Sequence, residues 1–345
     1  MDALVSICIP NYNGEKYLRE SLESALAQTY QNTEILLVDN QSTDEGTEIA
    51  AEYVRMDRRV RLVQNNTNIG PVPNFNRCVS LARGEWIKYL FHDDVLEPEC
   101  VEKMVNASTP DASMVVCKRD FIIEECHEEL RLKFMEMVTR YNMDTIFPET
   151  SLISPHMAAN AFLNNPIMNF IGEPTAVMLK RNVFDRFGMF NPYLIQLSDL
   201  EYWMRVASNT GFIYVPEPLV KFRLHQGGTT AANNASRKLG IFIDRLICYH
   251  EIAFHPDYAR FRLIAASQEP PINLQQVLAS ELKLVRKMSA EVSRDYSRAD
   301  ENLIEDLNKI MLLFPAFELV KKIPFSFTYD RCKWKLRQLM SPWEA

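Results

Sequence analysis

Four short polar clusters, each at the end of an apolar run, carry residue types suited to a charged, ring-bearing substrate. They are Pro10-Asn11-Tyr12-Asn13 after Leu4 to Ile9, Asp39-Asn40 after Glu34 to Val38, Asn68 with Gly70 after Val60 to Gln64, and His92-Asp93-Asp94 after Trp86 to Phe91. A carboxylate at Asp39 could accept the imide N–H of a uracil or thymine ring, and Tyr12 could stack on the same ring. Asp93 and Asp94 offer oxygen ligands to a hard divalent cation, which readily shares its coordination with phosphate oxygens. Each cluster also has a plainer reading. Asp39 and Asn40 could satisfy loop backbone, Asn11 and Asn13 could be turn residues, and Asp93-Asp94 could be solvated loop acids.

The elements that must position these clusters follow from pattern. The run from Leu4 to Ile9 predicts a buried strand stopped by Pro10. Leu18, Leu22, Ala25 and Leu26 recur at helical spacing. Ser42 and Glu45 have the spacing of a capping box opening a helix to about Met56. Further strands are expected over Glu34 to Val38, 60–64, 86–91 and 114–117. Helices are expected over about 74–82 and 98–107. Strands alternating with helices build βαβ units and a mostly parallel sheet, the α/β class. Ligands of such sheets bind beyond the carboxyl ends of the strands, and all four clusters fall on that edge.

In order and spacing, this pattern resembles glycosyltransferase family 2 with its GT-A fold. The resemblance rests on Pro10-Asn11-Tyr12-Asn13, on Val38-Asp39 through Ser42-Thr43-Asp44, and on Asn68-Ile69-Gly70 with Asn74 to Asn76. It continues in Ala82-Arg83-Gly84-Glu85-Trp86-Ile87 and in Phe91-His92-Asp93-Asp94 before Leu96-Glu97-Pro98. It is specific over about residues 4–98 and weaker to about 230. It implies donor-binding roles for Pro10, Asn11, Tyr12, Asn13, Asp39, Asn68, Gly70, Asn74, His92 and Asp93. Phe91 stands where the family's metal motif begins with Asp, so the metal role falls on Asp93, with Asp94 behind it. The acidic pair before the family's Trp-x-x-Arg-like helix matches Leu197-Ser198-Asp199-Leu200-Glu201 ahead of Trp203. That makes Asp199 the implied general base and Glu201 its reserve. Ser198 and Glu201 also have capping-box spacing, and Asp199 suits a helix dipole, which would explain them without catalysis. Phe222-Arg223-Leu224-His225 resembles the segment closing the catalytic domain, placing Arg223 at the donor diphosphate and His225 near the metal.

Residues 118–165 read as an irregular, Met-rich stretch, expected to serve the acceptor. Residues beyond about 236 read as helices without a motif. The expected organisation is a GT-A catalytic domain over 1–235, with a nucleotide-binding half (1–117) and an acceptor and base half (118–235). A helical C-terminal region (236–345) follows. The 345 residues suffice for such a core without staples. Lys and Arg number 38 against 45 Asp and Glu, so the net charge of −7 argues against nucleic acid as a partner. Ten glycines form neither a dinucleotide fingerprint nor a P-loop. Seven scattered cysteines suit a reduced, cytoplasmic protein. Residues 320–345 are basic and aromatic, which suits either peripheral contact with an anionic membrane or a packed helix.

The resulting expectation is an inverting glycosyltransferase using Mn2+ or Mg2+. It would move a sugar from a nucleotide-diphosphate donor, UDP-sugars being favoured, to a hydroxyl of a glycan or lipid-linked saccharide in cell-surface polysaccharide synthesis. A nucleotidyltransferase and a non-catalytic scaffold on the same kind of sheet are the alternatives.

Overall fold

The computed structural model describes residues 2–124, 128–228, 240–292 and 301–320. Nine strands form one sheet in the order β3-β2-β1-β4-β8-β6-β9-β5, with β7 added beside β9. The strands are β1 (Val5–Asn11), β2 (Thr33–Asp39), β3 (Val60–Gln64), β4 (Trp86–Tyr89), β5 (Val95–Leu96), β6 (Met114–Ile123), β7 (Leu152–Ile153), β8 (Val177–Lys180) and β9 (Phe212–Leu224). β1, β2, β3 and β4 pair in parallel, as do the long strands β6 and β9. Antiparallel pairing enters only through β5, β7 and β8, which have two to four residues each. The expected α/β sheet is thus present.

The helices α1 (Leu18–Leu26), α2 (Gly46–Met56), α3 (Pro71–Leu81) and α4 (Cys100–Ala107) connect the early strands. Pro71 sits in the first turn of α3, where a missing N–H costs nothing, so that helix begins earlier than the apolar spacing predicts. β1 runs through Pro10 instead of stopping there. Its pairing with β4 ends at Cys8, so Pro10 is not asked for an N–H on that side. Ser42 does not cap α2. Asp44 accepts from the Gly46 N–H at 3.0 Å, while Ser42 turns back toward β1.

The stretch expected to be irregular is mostly ordered. β6 continues to Ile123, and the helices α5 (Glu128–Arg140), α6 (Met143–Ile146) and α7 (Pro155–Asn164) follow it. Three charged residues, Lys118 to Asp120, break the apolar run and hide that strand, which pairs with β9 through a bulge at Cys117–Arg119. After β8 come α8 (Asn182–Phe187) and α9 (Ser198–Thr210), then the C-terminal helices α10 (Gly240–Phe254), α11 (Ala259–Ser267), α12 (Leu274–Val292), α13 (Glu301–Leu313) and α14 (Phe317–Val320).

Two apolar cores cover the sheet faces. One gathers Val5, Ile7, Leu22, Ile35 and Met104 under α1, α2 and α4. The other runs without a break from Cys8 and Leu36 through Phe162, Trp203 and Met204 to Leu246, Leu278, Ile310 and Phe317. The C-terminal helices therefore share their core with the sheet. They also hold α9 by polar contacts. The Tyr258 hydroxyl donates to Glu201 Oε1 at 2.7 Å, Arg260 donates to the Ser208 carbonyl, and Asn209 donates to the Asp257 carbonyl.

The five described cysteines are buried and unpaired. Among the described residues, no helix is long and apolar enough to cross a membrane. The basic aromatic tail from 321 onward lies outside the described residues.

Tyr258→Phe leaves a buried carboxylate short of one donor. We expect a loss of about 1–3 kcal/mol in unfolding free energy by urea titration, with the chain still folding.

Candidate active site

The carboxyl ends of β2, β1 and β4 lie side by side: Asp39 ends β2, and Asp93 lies in the turn that follows β4. A close approach joins them. A Cβ on Gly14 would sit 2.3 Å from Asn11 Oδ1 and 2.7 Å from the His92 ring. Only glycine lets the β1 loop pass between the two clusters.

Asp39 is buried. It accepts from Asn11 Nδ2 at 2.9 Å, from the Ser42 N–H at 3.0 Å and from the Ser42 hydroxyl. Asn13, at φ 51°, accepts from the Thr43 N–H at 2.8 Å. Asn11 and Asn13 thus lace the first loop to the second. Asn68, Gly70 and Asn74 belong to a similar frame. Asn40 donates to Asn68 Oδ1 and the Gly70 carbonyl, Asn65 donates to Asn40 and Asn74, and Asn74 donates to the Val38 carbonyl. Tyr12 alone of this half presents an open ring, 45% exposed.

At the end of β4 the two acids part company. Asp94 is fully buried, accepting from the Thr175 hydroxyl and, at 3.0 Å, from the Arg223 N–H. Burial, reinforced by the charge of Asp93, pushes its carboxyl well up. Asp94 therefore ties segments together and is not available as a metal ligand. Asp93 faces the other way, with Oδ2 at 3.0 Å from His225 Nε2. Burial works against its charged form, but the His225 hydrogen bond and the nearby His92 outweigh that and hold Asp93 below the ordinary carboxyl value.

Arg223 does not point at a free donor site. Its Nε donates to the Asp93 carbonyl, Nη1 to Glu124 and Nη2 to Glu20, and its guanidinium lies over the Tyr17 ring. It braces the loop that presents Asp93. An open cleft of about 440 Å³ lies beside it, lined by Lys16, Glu124, His225, Gln226 and Gly227. Lys16, Tyr17 and Arg223 converge on Glu124, and they hold that carboxyl down at about 2. The Tyr17 hydrogen bond is the largest cause.

Asp199 lies in the first turn of α9, part-buried. Oδ1 accepts from the Leu200 N–H at 2.7 Å, and Oδ2 accepts from Asn169 Nδ2 at 2.9 Å. Burial raises its carboxyl to about 7; the Leu200 N–H opposes the rise, the charge of Glu173 adds to it, and Arg119 opposes it. Glu201, the expected reserve, cannot serve. It is buried, paired with Arg205 at 3.0 Å and bound by Tyr258. Nor does Ser198 cap the helix: it is already helical, and Leu197 occupies the cap without a side-chain bond.

One segment, residues 169–175, joins the two halves. Asn169 grips Asp199 and both backbone groups of Gly172, whose carbonyl also accepts from Trp203 Nε1 at 2.8 Å. Glu173 pairs with Arg119 at 3.0 Å, and Thr175 reaches Asp94. The buried Lys88 amine donates to the Thr175 carbonyl from beneath. No motif or periodicity in the sequence marks Asn169, Arg119 or Lys88.

Residues 6–167 match the family model for glycosyl transferase family 2. Glycosyltransferase GlyG of Streptococcus pneumoniae is 32% identical over 173 residues, 45% of this chain and 56% of that protein. An uncharacterized glycosyltransferase of Rickettsia prowazekii is 29% identical over 245 residues, 70% of each chain. The chain carries a glycosyl transferase family 2 domain over residues 6–167. Solved structures share its fold. Staphylococcus aureus TarS 1–349 in complex with UDP-GlcNAc superposes with a TM-score of 0.56 at 17% identity, covering 90% of this chain and 81% of that one. The mannosyltransferase PcManGT from Pyrobaculum calidifontis, in complex with GDP-Man and Mn2+, gives 0.50 at 15% identity, covering 93% and 84%.

Gly172 has φ +110°, and a Cβ there would lie 1.8 Å from Arg119 Nη1. Gly172→Ala should cost about 1–3 kcal/mol in urea unfolding. Turnover should fall more than tenfold in a donor-hydrolysis assay, because the Arg119–Glu173 pair must move.

Proposed function

We propose that the glycosyltransferase inverts the anomeric centre of a nucleotide-diphosphate sugar, with Asp199 as general base for the acceptor hydroxyl. The observation that carries this reading is that Asp199, with both oxygens held, shares the 169–175 segment with the Asp93–Asp94 corner. A carboxyl tuned to about 7 by burial is matched to taking a proton near neutral pH.

The acceptor oxygen forms its bond to the anomeric carbon as the bond to the diphosphate oxygen breaks. The proton passes to Asp199, and the electron pair leaves with the diphosphate. Attack from the face opposite the leaving group inverts the centre. Asn169 and the Leu200 N–H fix the direction of the base, and entropy lost in positioning is thereby paid before the step.

The donor base belongs at Asp39 and Tyr12, in line with UDP as the nucleotide. A divalent cation fits at Asp93 and His225, a carboxylate oxygen and an imidazole nitrogen already side by side. Among the described residues no third acidic, His or Cys ligand joins them. That suits an ion whose remaining positions go to phosphate oxygens and water. When bound, it would neutralise charge developing on the diphosphate. The acceptor is read as a glycan or lipid-linked saccharide of the cell surface.

Calorimetry with UDP should show binding strengthened by Mn2+, and Asp93→Ala should weaken it at least tenfold. GDP binding in preference to UDP would overturn the uridine assignment. Asp199→Asn should lower kcat at least a thousandfold with UDP affinity kept within twofold. Because the base works as its carboxylate, kcat should rise with pH up to about 7 and level off above it.

A further inference from the structure

The C-terminal helices carry no catalytic motif, yet one of their side chains reaches the start of α9. Asp244 lies in the second turn of α10 and is fully buried. Its Oδ2 accepts three consecutive backbone N–H groups, from Ile195 at 2.9 Å, Gln196 at 2.5 Å and Leu197 at 2.9 Å. These residues form the turn that launches α9, and Asp199 follows two residues later. No side chain caps α9, and the carboxylate of Asp244 instead satisfies the three N–H groups of the turn just ahead of it.

We propose that Asp244 is a positioning residue for glycosyl transfer, holding the 195–197 turn so that Asp199 faces the acceptor hydroxyl. This rests on the reading of Asp199 as the base.

Of the other contacts between α9 and the C-terminal region, Tyr258 meets Glu201 in the same first turn but leaves the 195–197 backbone untouched, and Arg260 and Asp257 meet the last turn. A buried carboxylate with three donors is costly to disturb, since every donor would lose its partner in a place water does not reach. Burial raises Asp244 to about 6, and the three N–H groups pull it back; Asp306 on α13 adds to the rise. Burial pushes the Cys248 thiol, one turn along α10, well up, and the charges of Glu201 and Asp244 add to the rise. At neutral pH the group is therefore mainly the carboxylate that the turn requires.

The test compares Asp244→Asn with Asp199→Asn and the unaltered enzyme. Asparagine keeps the shape of the side chain and removes the charge. In Asp244→Asn, kcat should fall at least tenfold with UDP affinity unchanged within twofold. The acid limb of kcat should move down by at least half a pH unit as the Asp199 carboxyl gains water. Hydrogen exchange at 195–197 should quicken at least tenfold while α12 stays protected.

A kcat within twofold of the unaltered enzyme would overturn the proposal. So would a loss of kcat matched by an equal loss of UDP affinity, or unchanged exchange at 195–197. If Asp199→Asn is inactive and Asp244→Asn is normal, only this inference falls. If Asp199→Asn stays active, the base assignment falls and takes this one with it. Should Asp244→Asn not fold, Asp244→Glu, which keeps the charge, is read by the same three measurements and the same limits.

Discussion

A single buried carboxylate orders the cleft. Asp94 is surrounded by protein, so its oxygens must find donors, and they take them from two distant parts of the chain, the Thr175 hydroxyl and the Arg223 backbone. Drawing those two together brings the end of β4, the long strand β9 and the 169–175 segment to one corner. Asp94 is fixed inward, and Asp93, in the turn just before it, reaches His225. One acid of the pair is thus built into the scaffold, and the other stands beside His225.

The same division of tasks recurs at α9. Glu201 is spent on Arg205 and Tyr258, while Asp199 is held by Asn169 and the Leu200 N–H. In both places two nearby acids look alike in one dimension, and burial separates their roles. β9 links the two sites, because it carries Arg223 and His225 at one end and packs beside β6, whose bulge precedes Arg119.

The donor half was legible because its signals are local. Apolar runs ending in Asp39 or Asp93, with helical spacing between them, fix strand order and edge with little help from elsewhere. The capping boxes at Ser42 and Ser198 misled, since a hydroxyl near a helix start can choose another partner, as Ser42 chooses Asn11, Asn13 and Asp39. Arg223 was placed near the diphosphate, but its charge is drawn to Glu20 and Glu124, residues far away in sequence. Asn169, Lys88 and Asp244 gave no signal at all. Their partners are backbone groups or single side chains brought close only by packing, and neither periodicity nor spacing encodes that.

The frame around the nucleotide loops is built from side-chain amides: Asn11, Asn40, Asn65, Asn68 and Asn74 bond to one another, to Asp39 or to main chain. Amides neither gain nor lose a proton across the physiological range, and they add no field of their own to compete with a diphosphate. The amides of this lattice consequently answer to neither acidity nor ionic strength. Asp39 is the carboxylate set among them, held by Asn11 and Ser42. Most of the frame's shape is kept by bonds that no proton count alters.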